Sequence, residues 1–145
     1  MELSDLYSEK ILELAANVLR RPRLTLPGAS ARRVSRVCGS VVEVDLTVRN
    51  GVIAEYGQDV SACALGQTSA AVVAANIIGA TPDEMRLVRT QMVAMLKAGG
   101  VPPTGERWAD LRYLEPVRDY RPRHTSTLLV FDAVVDALDA IETRT

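Results

Sequence analysis

Three side chains in this sequence have donor chemistry that a soft metal would use: Cys38, Cys63 and His124. They are the two cysteines and the one histidine of a 145-residue chain. Two thiolates and an imidazole suit Zn(II) or an iron–sulfur cluster, and do not suit the oxygen-seeking ions Mg or Ca. A thiol binds metal as its thiolate, so the surroundings of each cysteine matter. Cys38 falls at the end of an expected strand, and Gly39 after it lets the backbone turn close to a bound atom. Cys63 and His124 each come just before an expected helix, where exposed N–H groups favour negative charge. The spacing contains no CxxC pair or other short ligand knuckle. Read on residues alone, a pair of buried thiols acting as small hydrophobes remains the competing account. A structural disulfide would require an oxidising compartment.

The elements that must position these residues are legible in the pattern of apolar residues. Leu6 to Leu19 has apolar residues at helical intervals, with Ser4 as a cap and Pro22 as the stop. Arg23 to Arg33 is rich in Pro, Gly, Ser and Arg and reads as a loop. Val42, Val44, Leu46 and Val48 alternate with polar residues, the period of a half-buried strand. Asn50-Gly51 follows, a pair that tolerates the positive φ angles of a two-residue hairpin turn, and Val52 to Tyr56 returns as the partner strand. Arg33 to Cys38 supplies a third strand. Ala64 to Ile78 is apolar on most sides and predicts a buried helix. Thr81-Pro82-Asp83-Glu84 opens another helix that ends near Gly99-Gly100. Pro102 to Arg123 is a polar connection with a short helical piece over Arg107 to Leu114, in which Trp108 is expected to pack. The last helix runs from Thr125 to Ile141. The expected fold class is therefore α/β of the α+β kind: a three-stranded antiparallel sheet packed by helices, in one domain over residues 1–145.

Composition narrows the function classes. Apolar residues make up 48% of the chain and the formal net charge is -1, a soluble globular balance that does not favour nucleic acid or an anionic membrane surface. No apolar run approaches the roughly 20 residues needed to cross a bilayer. The acidic start Met1-Glu2-Leu3-Ser4-Asp5 lacks a basic leader. Cytoplasm is the expected location. Arg121 and Arg123 read as a solvated basic loop.

At these residues the sequence resembles the NifU/IscU/SufU family of iron–sulfur scaffold proteins. Leu6-Tyr7-Ser8-Glu9-Lys10-Ile11-Leu12 leading to Arg21-Pro22-Arg23 is similar to the family's first helix and the basic stretch after it. Cys38-Gly39, the Asn-Gly-Val-Ile turn at 50–53, and Cys63 followed by small residues through Ser69-Ala70 continue the likeness. Arg121 to Leu128 is similar to the segment carrying the family's third cysteine, and the alignment puts His124 at that position. The chain departs from the pattern in having Ser40 where members carry an acidic residue, and in lacking a Leu-Pro-Pro-Val-Lys motif near Glu115-Pro116-Val117-Arg118. The resemblance implies a scaffold or carrier and not a turnover catalyst. It further implies a transient cluster, of the 2Fe-2S kind, or zinc held by Cys38, Cys63 and His124. The implied partners are a cysteine desulfurase and apo iron–sulfur client proteins. Two other readings are a zinc-bound sulfur acceptor serving a desulfurase, and a non-assembling paralogue acting by protein–protein contact.

Overall fold

The structure is a computed structural model that describes residues 7–36 and 39–143. Cys38, Ser4 and Leu6 therefore lie outside the described residues. Helix α1 spans Glu9–Ala16, strands β1, β2 and β3 span Ala29–Ser35, Ser40–Arg49 and Val52–Ser61, and helices α2, α3 and α4 span Ala64–Asn76, Pro82–Lys97 and His124–Thr143. A 3₁₀ helix over Glu106–Asp119 links α3 to the last helix.

The three strands form one antiparallel sheet in the order β1-β2-β3. Asn50 and Gly51, at φ 54° and 78°, make the two-residue turn between β2 and β3, both in the left-handed region that the mirror-image hairpin turns require. Val42, Val44 and Leu46 face the helices and are buried, as the alternation predicts. The strands differ from expectation in their ends. β1 lies earlier than Arg33–Cys38 because its place is set by pairing, Ala29 opposite Leu46 through Ser35 opposite Ser40. β3 continues past Tyr56 to Ser61, which pairs with Val41. Tyr56 is buried against the helices and its hydroxyl donates to Gln58 Oε1 at 2.8 Å. Burial, and then the nearby Asp45 charge, push its phenol well above the usual range.

The other face of the sheet is crossed by the link between α1 and β1. Gly57 makes the crossing possible, because a Cβ there would stand 2.3 Å from the carbonyl oxygen of Pro22. Gln58 N–H donates to the Arg21 carbonyl at 2.8 Å. Arg23 forks onto Asp45, Nε to Oδ2 at 2.6 Å and Nη2 to Oδ1 at 2.8 Å. The Leu24 N–H and the Ser30 hydroxyl donate to the same carboxylate at 2.9 and 2.5 Å. Burial works against a charge on Asp45, but these donors outweigh it and hold its carboxyl below the usual range. The basic Arg21-Pro22-Arg23 stretch is thus a structural tie.

On the helical face, α2 is buried on nearly every side because it lies between α1 and α4. Its small residues permit the close approach: a Cβ on Gly66 would meet the Ser126 carbonyl oxygen at 3.2 Å. Ser69 donates to the Thr127 carbonyl at 2.8 Å, and Thr68, donating to Ala64 O at 2.8 Å, has Ile11 O of α1 at 3.1 Å. Helix α1 starts later than Leu6, with Ser8 capping the Ile11 N–H at 3.3 Å. Helix α3 begins as expected, Thr81 capping the Glu84 N–H at 3.1 Å. It ties to α4 through Arg86 with Asp139 and Arg89 with Asp132, both at 2.7 Å.

The connection after α3 is more ordered than a polar link. Trp108, Leu111, Leu114 and Val117 are buried at every third position, the repeat of a 3₁₀ helix with three residues per turn. Trp108 packs in the core and its Nε1–H donates to Glu84 Oε2 at 2.9 Å.

Candidate functional site

One end of the sheet gathers the segments that carry the candidate ligands. The four-residue link between β1 and β2, which contains Cys38, is flanked by the paired Ser35 and Ser40. Gly39, at φ 71°, donates its N–H to Ser35 O at 2.8 Å and closes the turn. Ser61, at the end of β3, is opposite Val41. Cys63, two residues on, therefore starts α2 at the same end of the sheet as that link. Ser40 is buried at the head of β2.

Cys63 is the N-cap residue of α2 and is half-buried. Its backbone is extended, its carbonyl accepts the Gln67 N–H at 2.9 Å, and its side chain makes no capping hydrogen bond. The first N–H groups of α2 thus stand near the sulfur without a capping side-chain oxygen, the setting in which negative charge is favoured. Across from it, Ser126 Oγ of α4 lies 3.6 Å from the sulfur. The Ser126 hydroxyl also reaches the Arg123 carbonyl at 3.2 Å. With its proton on that carbonyl, the serine oxygen receives the thiol hydrogen; facing a thiolate, the hydroxyl can turn and donate to sulfur.

His124 is buried, and its ring is engaged elsewhere. Nε2 lies 3.0 Å from Val117 O and 3.1 Å from Arg118 O. Carbonyl oxygens only accept, so Nε2 carries the proton and donates to both. These carbonyls lie at the end of the 3₁₀ helix; Val117 O already accepts the Tyr120 N–H at 2.9 Å, and the imidazole adds a second donor to it and one to Arg118 O. Nδ1 is left as the ring's only donor atom for a metal. Positions two apart on an α-helix point about 200° apart, so His124 and Ser126 leave α4 on different sides. The residue of α4 that meets Cys63 is Ser126.

The expectations for the three ligands thus meet different outcomes. Cys63 is at the sheet end beside α4. His124 faces the 3₁₀ helix. Cys38 is outside the described residues. Among the described residues, no group of three or more His, Cys, Asp and Glu is placed to hold a metal ion. Ser126 was not singled out by its sequence, and the available signal was helical phase: it lies one turn before Leu129 and Val130, which are buried with it. Among the described residues, no helix is long and apolar enough to cross a membrane.

Comparison with known proteins places this arrangement. No protein-family model matches the chain, and no curated protein does. A nitrogen-fixing NifU-like protein (N-terminal) from Brucella abortus has a TM-score of 0.94 and 50% sequence identity, with 97% of each chain covered. A putative iron–sulfur cluster assembly scaffold protein for the SUF system from the thermophile Fervidobacterium islandicum AW-1 has a TM-score of 0.82 at 20% identity, covering 92% of this chain and 96% of that one. A protein described only as hypothetical has a TM-score of 0.80 at 17% identity, covering 94% of this chain and 99% of its own. The two lower identities establish a shared fold. Half the residues are identical over nearly the full length of the Brucella protein, and the chain described here belongs to the NifU-like N-terminal family.

Proposed function

We propose that this chain is an iron–sulfur cluster assembly scaffold that receives sulfur from a cysteine desulfurase and passes a transient cluster, of the 2Fe-2S kind, to apo-protein clients. In this reading residues 1–145 act as one scaffold domain and do not turn over a substrate. The observation that carries the proposal is Cys63, a half-buried thiol at the uncapped start of α2, set at the sheet end that also bears the Cys38 link. Cytoplasm is the compartment the reading requires, since it keeps both thiols reduced.

Cys38 and Cys63 supply the two thiolates. For the third donor, His124 can serve only through Nδ1, because Nε2–H is spent on two carbonyls. Ser126 is favoured by its 3.6 Å approach to the Cys63 sulfur. A neutral hydroxyl is a weak metal ligand beside thiolate, and two thiolates with one weak donor hold a cluster loosely. Loose holding suits a protein whose cargo must leave.

The test is anaerobic incubation with Fe(II), cysteine and a cysteine desulfurase, read by visible absorption and acid-labile sulfide. Wild type should colour and retain sulfide, and Cys38→Ala or Cys63→Ala should lose both. Ser126→Cys should hold the cluster longer against transfer to an apo-ferredoxin. Ser126→Ala should shorten retention, and His124→Ala should leave it unchanged when the fold is intact by circular dichroism. The reverse order would give the third position to His124 Nδ1. Uptake of zinc alone, with stimulation of the desulfurase, would move the function to a zinc-bound sulfur acceptor. Neither activity would leave a paralogue acting by contact.

A further inference from the structure

On the side of α4 away from Cys63, a cavity of about 370 Å³ is lined by Leu96, Lys97, Arg118, Arg121, His124 and Thr125. That volume falls at the lower end of small-ligand sites, roughly 300–1,000 Å³. Three of the six lining residues are cations and none is acidic. The chain as a whole carries a net charge of -1, so this is a local concentration of positive charge and not a general excess.

The side chains in this cavity are incompletely neutralised. Lys97 and Arg121 are exposed, and neither side chain has an ion-pair or hydrogen-bond partner among the described residues. Arg118 is partly committed: Nη2 pairs with Glu115 Oε2 at 3.0 Å and donates to Gly100 O at 3.2 Å. Its Nε is buried and has no partner, the one such side-chain nitrogen or oxygen among the described residues. Buried polar atoms are nearly always satisfied, so this nitrogen shows that the chain itself leaves the Arg118 guanidinium incompletely answered. The first turn of α4, at His124 and Thr125, forms part of the same wall.

We propose that this cavity binds the phosphate group of a small molecule. The charge count selects phosphate over a lone carboxylate. Glu115 answers Arg118, which leaves the charges of Lys97 and Arg121, and a lone carboxylate offsets only one of these. A phosphate brings a charge near −2 and three strong acceptor oxygens. The Arg121 guanidinium provides the bidentate contact and the Lys97 ammonium the point-charge contact that such oxygens use. The site involves neither cysteine.

Isothermal titration of the whole protein at constant ionic strength, with inorganic phosphate, pyrophosphate and ADP as separate probes, tests the proposal. At least one should bind saturably, and the ranking among them identifies free phosphate or a nucleotide as the source. Lys97→Gln and Arg121→Gln should each weaken that binding about tenfold, while Arg112→Gln, a cation outside the cavity, should leave it unchanged. Cys63→Ala should also bind as wild type does. Lys97 and Arg121 are exposed, so their removal leaves the core intact. No saturable binding of any probe at ~5 mM would overturn the proposal, as would equal weakening by Arg112→Gln. Binding of an acidic peptide in the absence of phosphate binding would overturn it as well.

Discussion

Two charged regions of this protein are built on opposite plans. Around Asp45, one carboxylate with 1% of its side chain exposed receives two donors from Arg23, one from Leu24 and one from Ser30. Around Arg118, three cations share a cavity in which the one carboxylate partner is Glu115, and a guanidinium nitrogen is left unsatisfied. The first region is closed: each group answers another, and it ties the α1–β1 link to the sheet. The second is open and incurs a cost that folding alone does not explain. A saturated charge cluster serves the fold as structure, whereas exposed cations held together by the fold keep their charge for a partner in solution. The comparison separates the residues that keep the scaffold together from those available to a ligand.

Breaking the closed cluster should have the largest effect. Asp45→Asn removes the anion beneath Arg23 and should cost about 2–3 kcal/mol in urea unfolding, less than a fully buried pair because Arg23 is 40% exposed. The same residue sets a pH dependence. Its carboxyl titrates below the ordinary range in the folded protein, so its contribution is full at neutral pH. That contribution fades as pH falls below about 4 and through the lower folded value. Stability of Asp45→Asn should accordingly decline less between pH 5 and pH 3 than that of wild type, and an identical acid limb would count against the tie.

Arg23→Lys sharpens the comparison by keeping the charge and losing the fork. A lysine cannot span both carboxylate oxygens, so about 1 kcal/mol should be lost in the same unfolding experiment, with the salt dependence little changed. The smallest effect is expected in the open cluster. The double variant Lys97→Gln/Arg121→Gln should shift stability by less than about 0.5 kcal/mol, because neither side chain has a partner to lose. A loss as large as that of Asp45→Asn would erase the distinction between the two regions.

Much of the frame was legible from the chain, and its failures share a physical origin. The β2–β3 hairpin was readable because alternation and the Asn50-Gly51 turn are local properties. The buried character of α2 and the Thr81 cap of α3 were local as well. β1 was shifted because its exposed arginines and small residues carry no alternation, and pairing with β2 fixes its place. The 3₁₀ helix extends well beyond the short helical piece expected over Arg107 to Leu114, because Trp108, Leu111, Leu114 and Val117 repeat every three residues and bury one face along its whole length. The Cys63 end of the site was legible through its place before a helix. For the third position the family likeness offers His124 and the geometry offers Ser126, and two residues along an α-helix reverse the face. Ser126 faces the Cys63 sulfur and His124 faces the 3₁₀ helix, a difference that only the fold displays. The cationic cavity could not be read at all, since Lys97, Arg118 and Arg121 meet only in three dimensions.

The contact between Thr68 and the Ile11 carbonyl, 57 positions apart in sequence, has a consequence for how the protein is born. Helix α1 is eight residues long, too short to persist alone in water. The helix it packs on is translated some 50 residues after it, and the glycine that admits its connecting link arrives with β3. Helix α1 is therefore made well before it is secured. During that interval its apolar face, centred on Ile11, is open to whatever nascent-chain binder the cell supplies.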